Sequence, residues 1–185
     1  LCAPDYRTKK RSDASALVAV AGSCAALRWV QDHAAELGVE VNKIIVVGYS
    51  SGGHIALRTG ITASPIGSDP KEAPRAKPAA VLLNSAVSDM SPGTGHRPVR
   101  FGDQAGALFP LHQLDALMPP TLVFHGDADP TVSFRQSVAL RDRPVAEGNE
   151  REFVPVPGGG HNFLIERAEW RARAEQLVLG GSGKA

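Results

Sequence analysis

The chain has 185 residues, 43% of them hydrophobic and 21% charged, with 20 basic against 19 acidic residues and a formal net charge of +1. That is the length of one domain, 1–185, with enough apolar material for a core, and its charge balance offers no footing for a nucleic acid or another polyanion. No run of about 18 apolar residues occurs, so no membrane-spanning helix is predicted, and no secretory leader pattern is seen.

The basic group Arg7, Lys9, Lys10 and Arg11 reads as a surface loop. Leu17, Val20, Cys24, Leu27, Val30, Ala34 and Leu37 then recur every three or four positions, which predicts an amphipathic helix over 14–37. Ser12 or Asp13 is placed to cap its start and Gly38 to end it. Cys24, inside the apolar stripe, is expected to be a buried free thiol, and a Cys2–Cys24 disulfide is left open. Ile44-Ile45-Val46-Val47 predicts a strand apolar on both sides, as in parallel sheets covered on both faces. A turn at Gly48–Gly53 leads into a helix to about Thr59. Residues 62–78 read as a loop, and Ala79–Leu83 as a second buried strand. Residues 85–118 are irregular and rich in Pro and Gly, a length of connection that is often functional. Thr121–Phe124 is a third buried strand, followed by a helix near 133–147. Glu152–Val156 is a weaker edge strand, and a last helix is expected over 162–179. Strands alternating with helices predict an α/β fold with an open, doubly wound, mainly parallel sheet.

The strongest chemical signal is Gly48-Tyr49-Ser50-Ser51-Gly52, a G-x-S-x-G between a predicted strand and a predicted helix. That context suits a nucleophile elbow, a turn so tight that flanking glycines must remove Cβ atoms. It would hold Ser50 Oγ above the sheet edge, with the free N–H groups of the next helix directed at the site. A serine needs a base, and the base an orienting acid, in the chain order Ser, acid, His on this kind of fold. His125-Gly126-Asp127-Ala128-Asp129-Pro130 follows the third strand and Gly158-Gly159-Gly160-His161 follows the fourth, both at strand ends where open α/β sheets carry their sites. Asp127 and Asp129 both remain candidates on position alone.

Of the six histidines, only His161 lies in a loop after the last strand, and it is the expected base. His33 is expected on the solvent side of the long helix. His54 is expected to pack against the elbow, and His125 to be structural. His96 and His112 fall in the irregular region, where a surface role is the simplest reading. No metal-ligand spacing and no phosphate-binding loop with its lysine are present.

Asp5-Tyr6-Arg7, Ala25-Ala26-Leu27-Arg28-Trp29-Val30 and Val46–His54 together resemble the bacterial acetyl-esterase and feruloyl-esterase branch of the α/β hydrolases, related to hormone-sensitive-lipase-like enzymes. Pro119–Val132 is similar to that family's acid-bearing motif, and Gly159-Gly160-His161-Asn162-Phe163 to its histidine motif. The resemblance covers nearly the whole chain. It implies Ser50 as nucleophile, Asp129 rather than Asp127 as acid, His161 as base, the Ser51 N–H as an oxyanion donor, and no cofactor. Ser51 stands where relatives usually carry alanine. The family also carries a His-Gly-Gly-type oxyanion loop upstream of Asp-Tyr-Arg. Here the sequence opens at Leu1, so the expectation is the C-terminal part of a larger hydrolase, without the first strands and with an exposed sheet edge.

The expected function is serine-dependent hydrolysis of short carboxylic esters, small-molecule or carbohydrate-borne, including acetyl or feruloyl esters of plant polysaccharide. An impaired hydrolase fragment or binding scaffold, and a prolyl-oligopeptidase-type peptidase, are the alternatives. Compartment and oligomeric state are not assigned.

Overall fold

The computed structural model describes residues 1–7, 9–61, 74–91, 94, 110–114, 118–143 and 151–163. Their order is α1 (Lys9–Ser12), α2 (Ala16–Asp32), α3 (Ala34–Leu37), β1 (Ile45–Tyr49), α4 (Ser51–Gly60), β2 (Ala80–Asn84), β3 (Thr121–Gly126), α5 (Arg135–Asp142) and β4 (Arg151–Val156), with short 3-10 turns at Val41–Lys43 and Pro110–His112. The last predicted helix lies outside the described residues from 164 on, as do most of 62–78 and 95–109.

The four strands form one sheet in the order β1-β2-β3-β4, parallel throughout. Every position of β3 is buried, and four of the five in β2. Because strand side chains alternate between faces, burial at successive positions means cover on both sides of the sheet centre. On one side, Ala56 and Leu57 of α4 and Leu140 of α5 pack with Val81, Leu83 and Val123. A smaller cluster joins Ala19 and Val20 of α2 to Ile55 of α4, with Tyr6 against it. This is the α/β layering that strand–helix alternation predicts.

The expected strand at Ile44–Val47 is displaced by one or two residues and differs in environment. β1 is an edge strand of the described sheet: it pairs only with β2, and Val47 is 67% exposed. Its open side faces a groove of about 950 Å³ lined by Leu27, Val30, Ile45, Val47 and Ile55 with the N-terminal segment. A β-branched run favours a strand but does not specify a neighbour on each side.

The long helix over 14–37 is broken. α2 ends at Asp32, and His33, at φ −105° and ψ 16°, separates it from α3. Ser15, not Ser12 or Asp13, is the cap: its Oγ accepts the Val18 N–H at 3.4 Å. Ser12 belongs to α1, and Asp13 turns the chain at φ 48°. Gly38 ends α3 in the left-handed region, at φ 65°, as expected of a terminal glycine. Cys24 is half-buried rather than buried, and both cysteines are free thiols. His33 is not simply solvent-facing. It stacks on Trp29 with ring centroids 4.3 Å apart.

Leu57 is fully buried beneath the helix that follows the elbow. Leu57→Ala is expected to lower unfolding free energy by about 2–5 kcal/mol in a denaturant titration. A loss under about 0.5 kcal/mol, the range of an ordinary surface change, would mean that this cluster does not support α4.

Candidate active site

The register aligns Tyr49 with Asn84 and Asn84 with Phe124, so β1 and β2 end level with Phe124, while β3 and β4 run two residues further along the same carboxyl edge, to Gly126 and Val156. Loops leaving these carboxyl ends are stitched to one another by backbone hydrogen bonds. Ser50 N–H donates to Asn84 O at 2.9 Å, Ser85 N–H to Phe124 O at 2.9 Å, and Ala128 N–H to Gly159 O at 3.1 Å.

Ser50 sits between β1 and α4 at φ 54° and ψ −120°. Such a conformation in a non-glycine residue costs about 1–3 kcal/mol and persists only where its surroundings enforce it. Here the enforcement is packing: a Cβ at Gly48 would lie 2.3 Å from Gly52 O and 2.7 Å from Ala56 Cβ. Only a glycine lets α4 fold back so closely over the strand it follows. Ser51 is the first residue of α4, so its N–H has no carbonyl partner within the helix. Its exposed hydroxyl lies 3.5 Å from Tyr6 OH.

The structure brings Ser50, His161 and Asp129 into one hydrogen-bonded chain. Ser50 Oγ lies 3.1 Å from His161 Nε2, and His161 Nδ1 lies 2.7 Å from Asp129 Oδ2. With a neutral imidazole, the serine hydroxyl donates to Nε2 and Nδ1–H donates to the carboxylate. Asp129 has no exposed side-chain surface, and His161 retains 14%. The other oxygen of Asp129 accepts the Thr131 and Val132 N–H groups at 2.8 and 2.9 Å. Burial by itself would raise this carboxyl's pKa, but His161, these two amides and the nearby Ser85 hydroxyl together hold it below the ordinary carboxylate value.

Asp127 has a different task. Its Oδ1 accepts the Gly158 N–H at 2.7 Å, which ties the histidine loop to the end of β3. That loop comes so close that a Cβ at Gly126 would fall 2.0 Å from Gly159 O. His125 is fully buried; Ser137 Oγ donates to its Nδ1 at 2.7 Å, and its Nε2–H donates to Val132 O at 2.9 Å. Burial lowers its pKa against the opposing pull of Val132 O and Asp129, so it is neutral beside a carboxylate oxygen 3.3 Å away. His54 is buried on α4 and its backbone N–H donates to Ser50 O at 3.3 Å, but it is the His161 ring that meets Ser50 Oγ. His96 lies outside the described residues, and His112 closes the Pro110–His112 turn.

Three participants gave no signal in the sequence. Ser85, at φ 44°, joins Asp13 and Ser50 as a non-glycine residue at positive φ and lies beside Asp129. Gln136 is buried, and its Oε1 accepts the Ser88 and Asp89 N–H groups at 2.9 and 2.7 Å, fastening the loop after β2 to α5. Tyr49 OH donates to Asn162 Oδ1. Among the described residues, no group of three or more His, Cys, Asp or Glu side chains is arranged to hold a metal ion.

A parallel sheet with Ser, His and Asp meeting at its carboxyl edge, the serine on a strained strand-to-helix turn, defines the α/β-hydrolase class. The sequence matches the BD-FAE family over residues 1–143, and the chain belongs to that family. It is similar to esterase 2 of Thermogutta terrifontis: the butyrate-bound structure superposes with a TM-score of 0.74 at 31% identity, covering 96% of this chain and 68% of that one. The paraoxon-phosphorylated form of the same esterase gives 0.72 at 32% identity, with 95% and 66% covered. Acyl-protein thioesterase 1 of Neurospora crassa is 25% identical over 169 residues, 83% of this chain and 60% of that protein. Esterase LipC of Mycobacterium tuberculosis is 24% identical over 180 residues, 83% of this chain and 43% of that protein. The chain thus spans about half the length of these curated relatives.

The two buried groups around the acid act in separate pH windows. The depressed pKa of Asp129 gives stability that is present above about pH 4, the unfolded carboxylate value, and lost as pH falls through the lower folded value. The depressed pKa of His125 has the unfolded chain bind a proton below about pH 6.5 while the folded chain does not, so stability declines as pH falls through that region. His125→Gln is expected to flatten the fall in melting temperature between about pH 7 and 5. An unchanged slope would assign the decline to other groups.

Proposed function

We propose that the chain is the catalytic part of a serine-dependent carboxylic-ester hydrolase, with Ser50 as nucleophile, His161 as general base and acid, and Asp129 as the orienting carboxylate. The single observation that carries this reading is the unbroken hydrogen-bonded chain from Asp129 through His161 to Ser50. Ser50 Oγ attacks the ester carbonyl as its proton passes to His161 Nε2. Asp129 stabilises the imidazolium and fixes its tautomer. The Ser51 N–H, at the start of α4, donates to the oxyanion of the tetrahedral intermediate, and loss of one such donor typically costs about 10²–10³ in rate. Collapse of the intermediate expels the alcohol with the proton from His161. Water then repeats the sequence on the acyl-serine and releases the carboxylic acid.

The acyl groups we propose are short. The butyrate and propionate bound to the Thermogutta esterase support that size range. Carbohydrate esters, such as acetyl or feruloyl groups on plant polysaccharide, are the finer form of the same proposal, which family membership supports.

Stopped-flow hydrolysis of p-nitrophenyl butyrate is expected to show a nitrophenol burst of about one equivalent per chain. Ser50→Ala should abolish the burst and lower kcat by on the order of 10⁶-fold. Asp129→Asn should keep substrate binding but lower kcat by about 10⁴-fold. Equal turnover in Ser50→Ala would refute the assignment, and absence of turnover in the unmodified chain would favour a binding scaffold.

A further inference from the structure

Ser50 follows β1 and His161 follows β4, strands on opposite edges of the described sheet. Three strand spacings separate those edges, about 14 Å at roughly 4.8 Å each. The histidine loop must therefore reach back across the sheet to place Nε2 3.1 Å from Ser50 Oγ. Its root is fastened on the β3 side, where Gly159 O accepts from Ala128 N–H and Gly158 N–H donates to Asp127. Those bonds lie before His161 and do not fix the far end of the loop.

Asp129 holds the imidazole at one atom, Nδ1. Apart from the Ser50 contact that it must align, the ring has this one anchor and can still rock about it, and a shift of about 1 Å at Nε2 is enough to spoil proton transfer, at a cost reaching about 100-fold. A second restraint comes from β1. The Tyr49 ring lies with its centroid 4.9 Å from that of His161, tilted by 44°. Its hydroxyl donates to Asn162 Oδ1. Tyr49 immediately precedes the nucleophile and Asn162 immediately follows the base, so this one contact ties together the backbone on either side of the reacting pair. Neither side chain serves the core: Tyr49 is 41% exposed, and Asn162 is exposed as well.

We propose that Tyr49 and Asn162 form a clamp that positions His161 over Ser50, Asn162 by fixing the far side of the histidine loop and the Tyr49 ring by limiting how far the imidazole can rock. They are positioning residues; the chemistry stays with Ser50 and His161. This inference rests on the ester-hydrolase reading above and goes beyond it by assigning a task to the variable second position of the Gly-x-Ser-x-Gly turn.

The test compares Tyr49→Phe, Asn162→Ala, the double variant and Tyr49→Leu on p-nitrophenyl butyrate. Active sites are counted by the nitrophenol that paraoxon releases at completion, so misfolded protein does not enter the rate. Tyr49→Phe and Asn162→Ala are each expected to lower kcat per site by on the order of 10-fold, with KM within about 2-fold and an unchanged melting temperature. The double variant should lose no more than either single one, because both remove the same bond. Tyr49→Leu, which also removes the ring contact, should lose more. Unchanged kcat per site in both single variants, or losses that multiply in the double variant, would overturn the clamp. A second readout needs no turnover: the low-field imidazole N–H resonance of His161 against Asp129 should be sharp in the unmodified chain and exchange-broadened in Tyr49→Phe. If the unmodified chain hydrolyses no ester, the functional reading fails alone, and an equally sharp resonance in Tyr49→Phe still overturns the clamp.

Discussion

The close approach of α4 to the end of β1 is the constraint on which the site depends. With a Cβ at Gly48, the Gly52 carbonyl and Ala56 would have to move, and α4 would swing off the sheet. With glycine there, α4 starts at once after Ser50, and the serine is left at φ 54° with its Oγ toward the carboxyl edge. The same closeness seats Ala56 and Leu57 in the main core cluster. The strain at Ser50 is thus held by burial that also stabilises the fold, which is how an unfavourable backbone conformation persists at a functional position.

A comparable close contact occurs at the other end of the hydrogen-bonded chain. Gly126 and Gly159 meet backbone to backbone, so the loops after β3 and β4 share one small volume. Asp127 and Asp129 use that closeness in different ways, one bracing the loop at Gly158 and the other meeting His161. Around Asp129, burial and donated hydrogen bonds act in opposite directions, and the donors win, which keeps a fully covered carboxylate ionised. Neutral His125 beneath it closes the turn through Val132 without adding a positive charge that would compete with His161.

Much of this was legible in the sequence because it is local. Short apolar runs placed the strands within one or two positions, and the order of the Ser, Asp and His motifs, with the family resemblance deciding for Asp129 over Asp127, named the residues that now lie in contact. What was not legible depends on tertiary path. Ser12, Asp13 and Ser15 all have capping chemistry, and only the turn at Asp13 decides that Ser15 caps α2. Hydrophobicity made β1 a strand but did not reveal that its outer side opens on a groove. Ser85 has no distinguishing pattern after a buried strand, and its place near Asp129 comes from the meeting of two strand ends. Tyr49 and Asn162 are 113 positions apart, beyond any local pattern.

The central claim is that the contact with His161, itself oriented by Asp129, activates the Ser50 hydroxyl. Reaction with paraoxon followed by peptide mass mapping tests it most directly. The account predicts a single diethylphosphoryl group on Ser50, in the peptide that contains Gly48–Gly53, and slow or no modification once His161 is replaced by alanine. Modification of another residue at the same rate, or of Ser50 at an unchanged rate without His161, would contradict it.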